Sequence, residues 1–317
     1  MPEHNPVILP IAAIIATRNR HVLLRETLLS LFMQTHLPAH VIIVDASEQS
    51  DTEDMLKGLS WGDVLLNYRR STIAGAAAQR NEGLALAPPD VHVLFMDDDI
   101  ELDQACIRGL WTALSTDRFV GIAVSMIKNQ RYQQPGLASR WMFKVMNGKA
   151  ERSYAGKCIG PAINLLPEDS ETLPEVVPVE WANTTCTLYR RHALPVPAFP
   201  PNFKGYSLME DLYLSLTIAK DWKLVNARTA RIYHNSQGGV HKQNFFRLSR
   251  MQLVNRHFIM THVLGRSGLK DLAKLALWQC FGLLTLFTGL SRIRMVPVYV
   301  AANLSGVVQL LKGKGVE

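Results

Sequence analysis

The stretch Val91–Asp99, VHVLFMDDD, decides the fold of this chain. A short apolar run that stops at a polar turn is typical of a strand buried on both faces of a parallel sheet. Three consecutive aspartates at the end of such a strand would repel one another unless a cation or hydrogen-bond donors neutralised them. The stretch therefore predicts a buried strand, Val91–Met96, that delivers carboxylates to one edge of a sheet.

The chain before this strand alternates between strand and helix patterns. Strands are predicted at Ile11–Thr17, Val41–Val44 and Val64–Tyr68, and helices at Val22–Phe32 and Ala74–Ala87. Pro38 is expected to close the connection between the first helix and the second strand. The alternation predicts a mostly parallel sheet built from right-handed crossovers, which is an α/β fold.

Polar residues cluster at the carboxyl ends of the predicted strands. Thr17, Arg18 and Asn19 follow the first strand, Asp45 and Ser47 follow the second, and the aspartates follow the fourth. Ligands of open parallel sheets bind at the carboxyl ends of the strands. The sequence therefore predicts that these side chains share one site.

The chain after the aspartates is less regular. A helix is predicted at Asp103–Leu114, a strand at Val120–Met126, a long functional loop or lid at Lys128–Pro178, a strand at Trp181–Tyr189, and helices at Leu208–Lys220 and Asn244–Leu264. The segment assigned to a lid is rich in Gln, Gly, Pro and charged residues and shows little periodicity. We therefore expect it to lie outside the regular elements.

The aspartates Asp97, Asp98 and Asp99 offer only oxygen ligands, which magnesium and manganese prefer. Magnesium commonly takes one or two protein carboxylates and fills its other positions with substrate phosphates and water. The alternative is a solvated acidic turn that caps the following helix, because aspartate is favoured at helix N-termini. Since polar residues also stand at the neighbouring strand ends, the sequence favours a site for Mg²⁺ or Mn²⁺.

Five short motifs occur in a characteristic order between Ile11 and His234. They are Ala16-Thr17-Arg18-Asn19, Val44-Asp45-Ala46-Ser47, Gln79-Arg80-Asn81-Glu82-Gly83, Met96-Asp97-Asp98-Asp99 and Met209-Glu210-Asp211-Leu212. In this order they resemble the family 2 glycosyltransferases of the GT-A fold. The resemblance implies a Rossmann-like, mostly parallel central sheet flanked by helices, and an enzyme that moves a sugar from a nucleoside-diphosphate sugar to an acceptor hydroxyl.

The resemblance also implies roles for individual residues. The donor site would be formed by Thr17, Arg18, Asn19, Asp45, Arg80, Asp97 and Asp98, and the metal site by Asp99, Asp97 and His234. Asp45 is expected near the nucleoside base, and Asp97 near the ribose or sugar of the donor. A purely structural role is the alternative for His234, because a lone histidine is more often structural than a ligand.

The acidic pair Glu210-Asp211 is expected to carry the catalytic step. By the same resemblance, Asp211 is the general base that takes the proton from the acceptor hydroxyl, and Glu210 supports it. An inverting displacement needs one such carboxylate that reaches the acceptor hydroxyl. The alternative is an acidic pair at a helix N-terminus that is stabilised by the helix dipole.

The acceptor side departs from the family pattern. Family members commonly carry small residues with glycine ahead of the acceptor-side strand, whereas this chain has Trp181-Ala182-Asn183-Thr184-Thr185-Cys186. Trp181 is expected either to stack on an acceptor sugar or to lie in the core. The acceptor therefore stays open between a saccharide and a lipid-linked compound.

Charge limits the possible partners. The net charge of +7 suits nucleic acid, an anionic membrane or an anionic nucleotide. A nucleotidyltransferase, the closest enzymatic alternative, would be expected to show a glycine-rich phosphate loop, and Ala16–Arg20 has no glycine. A non-catalytic basic membrane or nucleic-acid binder would leave the aspartates and the acidic pair unexplained. Family analogy favours a UDP- or dTDP-sugar as the donor, and we expect no nucleic-acid partner.

Cysteine usage and the N-terminus predict the compartment. The cysteines are scattered at Cys106, Cys158, Cys186 and Cys280, which suggests neither a zinc site nor a disulfide framework. Met1–Pro10 lacks the basic-then-apolar order of a signal peptide. We therefore expect a cytoplasmic protein.

The C-terminal part is unusually apolar. We expect a catalytic domain, 1–240, followed by a hydrophobic helical tail, 241–317, in which Leu272–Leu290 and Met295–Leu311 are the main apolar runs. A hairpin across the bilayer would place the short basic connection between them on the far side, against the bias of basic loops toward the cytoplasm. The tail helices are therefore expected to lie in the cytoplasmic leaflet of the inner membrane. A helical pair buried on the catalytic domain or in a dimer interface is the alternative.

Overall fold

The computed structural model describes residues 6–201, 203, 205–206, 208–236 and 244–313. Its strands are β1 (Val7–Thr17), β2 (His36–Asp45), β3 (Leu65–Arg70), β4 (His92–Met96), β5 (Ile100–Leu102), β6 (Val120–Ile127), β7 (Cys158–Ile159), β8 (Ile163–Asn164), β9 (Val176–Val179), β10 (Cys186–Tyr189) and β11 (Lys223–His234). Its α-helices are α1 (His21–Phe32), α2 (Asp51–Lys57), α3 (Ala76–Leu86), α4 (Cys106–Ser115), α5 (Leu137–Asn147), α6 (Glu210–Ile218), α7 (Phe245–Phe258), α8 (Leu269–Thr285), α9 (Leu290–Ile293) and α10 (Val296–Leu311). A π-helical turn, Ile259–Val263, follows α7.

One large sheet has the strand order β3-β2-β1-β4-β10-β6-β11-β5, and β9 pairs with β11. β1 runs parallel to β2 and β4, and β2 runs parallel to β3. Thr17 stands opposite Asp45 in the β1–β2 ladder, so these two strands end side by side. The predicted α/β sheet is confirmed. Its far half is mixed, because β10 runs antiparallel to both β4 and β6.

Helices cover both faces of the sheet. Ile15 of β1 packs in a cluster with apolar residues of α1 and α4, whereas its neighbour Ile14 packs with residues of α3 and α6. Gly83 of α3 lies directly against β1, where a Cβ atom would collide with the side chain of Ile14. Because each central strand is buried on both faces, its sequence is continuously apolar rather than alternating.

The segment Lys128–Pro178 contains regular structure, so its prediction as a long loop or lid is wrong. Helix α5 and strands β7, β8 and β9 lie within it, and β9 joins the large sheet. The carboxylate of Asp169 accepts hydrogen bonds from the guanidinium groups of Arg228 and Arg231, which fastens the segment to β11. Met142, Phe143 and Met146, the buried residues of α5, lie on one face of the helix.

One local expectation is also wrong, and one strand near the site was not predicted. Pro38 does not close a connection but lies inside β2, opposite Leu9, beside an irregularity in the β1–β2 ladder. Proline is tolerated in strands at such irregularities. The aspartates are followed by a short strand, β5, before the helix begins. β5 pairs antiparallel with β11, and this pairing matters for the site below.

The C-terminal helices differ in how they are attached. α7 is fastened to the catalytic part, because the side-chain amide of Asn255 donates to the carbonyl oxygen of Leu208 at 2.8 Å. α8 and α10, by contrast, leave large apolar side chains exposed, such as Leu284 and Leu304. The helical tail is therefore confirmed. Over the described parts of the chain, no helix combines the length and apolar character needed to cross a membrane. The predicted domain boundary between 240 and 241 lies outside the described residues.

Candidate active site

The loops after β1 and β2 are joined at the carboxyl edge of the sheet. The backbone N–H of Asn19 donates to Oγ of Ser47 at 2.7 Å, and the backbone N–H of Glu48 donates to Oδ1 of Asn19 at 3.2 Å. Asn19 has a φ of 55°, a left-handed conformation in which asparagine is enriched. Arg18 points to the surface, where its guanidinium pairs with Glu48 at 2.6 Å. The predicted donor residues Arg18 and Asn19 therefore lie together on one rim.

Asp45 is completely buried beneath this rim. One of its carboxylate oxygens accepts hydrogen bonds from the backbone N–H and the hydroxyl of Ser47, and the other accepts from the hydroxyl of Tyr68 at 3.0 Å. Asp45 thus orders Ser47 and Tyr68 rather than presenting its own carboxylate. The sequence analysis missed Tyr68, because an aromatic residue in a predicted strand usually indicates packing.

The three consecutive aspartates point in different directions and have different partners. Asp98 is only 5% exposed and turns inward, where Oδ2 accepts from the hydroxyl of Thr17 at 2.7 Å and Oδ1 accepts from Arg20 at 3.1 Å. Burial raises the pKa of Asp98 to about 6, although Thr17 and Arg20 act in the opposite direction. The predicted donor residues Thr17 and Asp98 are therefore used in a contact that joins the ends of β1 and β4.

Asp97, Asp99 and His234 come together and form what we call the metal cluster. Oδ1 of Asp97 pairs with Arg80 at 2.6 Å, while its Oδ2 lies 4.0 Å from Nε2 of His234. The two oxygens of Asp99 also have different neighbours: Oδ2 lies 3.1 Å from Arg20, and Oδ1 lies 3.1 Å from Nε2 of His234. One potential ligand atom from each of the three residues lies within 4.8 Å of the others. The three predicted metal residues are thus brought together.

The metal cluster fits a divalent cation. On an octahedral ion with bonds of about 2.1 Å, adjacent ligand atoms are about 3 Å apart and opposite ones about 4.2 Å apart. The separations of 3.1 Å and 4.0 Å from Nε2 of His234 lie close to these values. Mg²⁺ is bound mainly through oxygen, so an imidazole among the ligands suits a first-row ion such as Mn²⁺ better.

A short strand brings His234 to the aspartates. β5 follows Asp99 directly and pairs antiparallel with β11, so that His234, the last residue of β11, stands opposite Ile100. The backbone N–H of Asn235 also donates to the carbonyl oxygen of Asp99 at 2.8 Å. Two residues 135 positions apart in sequence therefore become neighbours through a pairing that the sequence analysis did not predict.

The acidic pair, Glu210 and Asp211, begins helix α6. Arg80 is 3% exposed and lies between the acidic pair and the metal cluster, with guanidinium nitrogens 2.6 Å from Asp97 and 3.5 Å from Glu210. The structure therefore places the predicted donor residue Arg80 as a buried connection between two groups of carboxylates. Its side chain is too enclosed to form part of an open donor surface.

The pKa values of the acidic pair are raised. Burial is the largest cause, and it raises the pKa of Glu210 to about 7 and that of Asp211 to about 6. Repulsion from neighbouring carboxylates adds to this effect, and Arg80 opposes it. A carboxylate whose pKa lies close to the working pH is suited to take a proton from a substrate.

The structure places two other residues differently from what the sequence predicted. Arg20 pairs with both Asp98 and Asp99 but was not predicted as a site residue. The signal available was its position directly after Asn19, at a strand end that faces the aspartates. Trp181 is buried, and its indole N–H donates to the carbonyl oxygen of Leu165 at 2.7 Å. It therefore belongs to the core rather than to an acceptor surface.

Comparison with known proteins agrees with this geometry. A family model described as Glycosyl transferase family 2 matches residues 12–162. No curated protein matches the chain in sequence. The crystal structure of GalNAc-T7 with UDP, GalNAc and Mn²⁺ is similar with a TM-score of 0.55 at 15% identity, over 80% of this chain and 48% of that chain. This chain thus spans about half the length of that one.

Two further structures match over most of their length. The mannosyltransferase PcManGT from Pyrobaculum calidifontis, in complex with GDP-Man and Mn²⁺, has a TM-score of 0.55 at 15% identity, over 98% of this chain and 82% of that chain. TarS 1–349 from S. aureus has a TM-score of 0.51 at 16% identity, over 96% and 83%. At such identities the structures establish the fold, which is the GT-A fold. The match over residues 12–162 shows in addition that the chain carries a glycosyl transferase family 2 domain.

Proposed function

We propose that this chain is a glycosyltransferase that moves a sugar from a nucleoside-diphosphate sugar to an acceptor hydroxyl with inversion, using a divalent cation held by the metal cluster. The observation that carries the proposal is that the two carboxylate oxygens of each aspartate have different neighbours. One oxygen of Asp97 and one of Asp99 is paired with an arginine, and the other oxygen of each is turned toward His234. This arrangement holds one oxygen of each aspartate close to the imidazole of His234, as a shared set of metal ligands requires.

The donor half of the site is prepared by the chain itself. A divalent cation bound there supplies positive charge beside the diphosphate oxygens, which become more negative as the bond to the sugar breaks. Arg18 and Asn19 are the donor contacts that we propose on the rim, and Asp45 acts through the groups that it orders, Ser47 and Tyr68. GalNAc-T7 and PcManGT were solved with UDP and with GDP-Man, respectively, each with Mn²⁺. For this chain we propose UDP or dTDP as the carrier.

The acceptor half centres on the acidic pair. Asp211 accepts the proton of the acceptor hydroxyl, whose oxygen then attacks the anomeric carbon from the side opposite the nucleotide, so that the configuration inverts. Its raised pKa makes Asp211 a stronger base than an exposed aspartate. Glu210 supports this role through Arg80, which it shares with Asp97, so the acidic pair and the metal cluster are held in a fixed relation.

Calorimetric titration with UDP, dTDP and GDP, each with and without Mn²⁺, tests the proposal. We expect the wild-type protein to bind one of these nucleotides in a Mn²⁺-dependent manner, and Asp99→Ala to lose the Mn²⁺-dependent part of the affinity. Asp54→Ala, which changes an exposed carboxylate on α2, is the matched control and should bind as the wild type does. A folded wild-type protein that binds none of the three nucleotides would refute the proposed function.

We further propose that residues 1–240 form the catalytic domain and that 241–317 attach it to the anionic cytoplasmic face of a membrane, where a lipid-linked acceptor would be presented. Residues 244–313 contain nine lysines and arginines and a single acidic residue, Asp271. Leu284 and Leu304 are 64% and 63% exposed. A second copy of the chain would bring like charges together, whereas anionic lipid complements both the charge and the apolar side chains.

Sedimentation with vesicles tests the attachment. We expect binding to vesicles that contain phosphatidylglycerol, weaker binding at high salt, and little binding to phosphatidylcholine alone. The double variant Leu284→Gln/Leu304→Gln should lose at least about 100-fold in affinity, because each leucine buried in the membrane stabilises by about 1.5–3 kcal/mol. Val22→Gln, at a comparably exposed position on α1, is the control. A dimer in light scattering, combined with no vesicle binding, would support the interface between two copies and contradict the membrane proposal.

A further inference from the structure

The residues that follow β6 hold the backbone of His234. The ladder between β6 and β11 ends at Ile127, opposite Ile232. Beyond that point the side chain of Asn129 takes over, because its Oδ1 accepts from the backbone N–H of His234 at 3.1 Å and its Nδ2 donates to the backbone carbonyl of His234 at 2.9 Å. Asn129 thus continues the strand pairing with its side-chain amide, and both backbone groups of His234 are fixed.

The next residue, Gln130, contacts the imidazole ring itself. Its side-chain nitrogen lies 3.3 Å from Nδ1 of His234, on the side of the ring opposite Asp99. Nε2 of the same ring lies 3.1 Å from Oδ1 of Asp99. Both ring nitrogens therefore have a polar neighbour, and the neighbour of Nδ1 belongs to a residue that neither the sequence motifs nor the proposed mechanism uses.

The partner of one ring nitrogen decides what the other can do. A neutral imidazole carries a hydrogen on one nitrogen and a lone pair on the other, and only the lone pair can bind a metal ion. The amide nitrogen of Gln130, which can only donate, faces Nδ1 here, so in a neutral ring with this contact Nδ1 accepts and the ring hydrogen lies on Nε2, next to Asp99. A half-turn of the glutamine amide would present its oxygen to Nδ1 instead. The ring hydrogen would then lie on Nδ1, and Nε2 would offer its lone pair to the cluster.

We infer that Gln130 is a positioning residue that selects the tautomer of His234: its amide nitrogen faces the ring without a cation, and its amide oxygen faces the ring when a cation is bound. Glutamine is suited to this because one amide carries both a donor and an acceptor. The inference rests on the proposed function, since it gives His234 a cation to bind. It does not depend on the identity of the nucleotide or the acceptor.

Binding of Mn²⁺ alone, measured by calorimetry, is the first test. Gln130→Met keeps the length of the side chain but removes both polar groups, and we expect it to weaken Mn²⁺ binding by about 10–100-fold, as for other residues that orient a metal-binding histidine. Gln130→Glu supplies only acceptors and should bind Mn²⁺ at least as tightly as the wild type. Gln133→Met, at an exposed position of the same segment, is the control. Wild-type affinity in Gln130→Met would overturn the inference, and equal losses in Gln130→Met and Gln130→Glu would overturn the selection of a tautomer.

The tautomer can also be observed without any cation. In ¹⁵N spectra of the histidine rings, with His234→Asn used to assign the signal, we expect metal-free wild type to carry the ring hydrogen on Nε2 and metal-free Gln130→Glu to carry it on Nδ1. Addition of Zn²⁺, a diamagnetic first-row ion that binds imidazole, should move the wild-type hydrogen to Nδ1. If the wild type bound no cation but Gln130→Glu still changed the tautomer, the metal-dependent part of the proposed function would fail while the control of the ring by Gln130 stood. An unchanged tautomer in Gln130→Glu would refute that control directly.

Discussion

The metal cluster and the acidic pair are both built on carboxylates, but their charges are neutralised differently. In the metal cluster the two aspartates pair with different arginines, Asp97 with Arg80 and Asp99 with Arg20. The acidic pair has Arg80 as its neighbouring cation, 3.5 Å from Glu210, and shares it with the metal cluster. The carboxylates of the metal cluster are therefore arranged around a position that suits a cation. The acidic pair is enclosed with less neutralising positive charge.

The difference supports the two chemical roles that we propose within one site. Burial raises the pKa of both members of the acidic pair toward neutrality, which prepares this pair to exchange a proton. The metal cluster keeps a ligand atom of each residue directed at the others, which prepares it to hold a cation. When carboxyl groups in one site have such different surroundings, the surroundings indicate which group binds a cation and which group transfers a proton.

The largest expected effect separates the two groups. Asp211→Asn preserves the shape of the side chain and an acceptor for the N–H of Leu212, but it removes the base. We expect the single-turnover rate to fall by about 10²–10⁴-fold, with Mn²⁺ and nucleotide binding unchanged. Asp221→Asn, just beyond the same helix and exposed, should retain full activity. Loss of Mn²⁺ binding in Asp211→Asn would show that the acidic pair and the metal cluster are not distinct.

Arg80, which connects the acidic pair to the metal cluster, should matter more for stability than Arg20. Arg80 is buried, whereas Asp97 and Glu210 are 25% and 15% exposed. Arg80→Met leaves these two partly buried carboxylates without their common cation, and we expect the free energy of unfolding to fall by about 3 kcal/mol. Arg20→Met should cost less, because the Arg20 side chain is 34% exposed and water can replace part of its interaction. Urea unfolding at pH 8 measures both. Equal losses in the two variants would contradict the view that Arg80 alone connects the two groups.

The pH dependence of the reaction should report the acidic pair. Since Asp211 must be ionised to accept a proton and its pKa is raised to about 6, the single-turnover rate should fall by about tenfold for each pH unit below that value. The rate should level off above the pKa of about 7 of Glu210. The residual rate of Asp211→Asn should lack this dependence. A rate that stayed constant down to pH 4.5 would exclude the acidic pair as the base.

The strands that carry the donor half could be predicted from the sequence because each is short, apolar and buried on both faces. Ile11–Thr17 and Val41–Val44 fall within observed strands, Val91–Met96 matches β4 to within one residue, and polar residues follow each of them. The grouping of these polar residues follows from parallel pairing alone, which aligns the carboxyl ends of neighbouring strands. This part of the site could therefore be predicted from the sequence alone.

The other contacts depend on pairings between distant segments, which periodicity does not reveal. β5 has three residues, too few to show a pattern, yet it brings His234 to the aspartates. Helix α5 was missed although its apolar residues Leu137, Trp141, Met142 and Met146 recur at helical spacing, because the composition of the whole segment was given more weight. The available signal was Gly148, whose left-handed conformation ends that helix, as glycine commonly does. The inward turn of Asp98 had no signal, because its neighbours in sequence are chemically identical.

The smallest expected effect concerns stability rather than rate. A carboxyl group whose pKa is raised in the folded state favours the protonated form, so its contribution to stability is complete below its unfolded pKa and is lost as the pH rises through its folded pKa. For Asp211 this window extends from its ordinary value of 3.8 to about 6. Asp211→Asn should therefore gain stability relative to the wild type between pH 4 and pH 8, by about 2–4 °C in Tm for each kcal/mol of charge burial that is relieved. Calorimetric melting curves at the two pH values measure the difference, with Asp221→Asn as the exposed control. If the difference in Tm were the same at pH 4 and pH 8, burial would not be what distinguishes the acidic pair from the metal cluster.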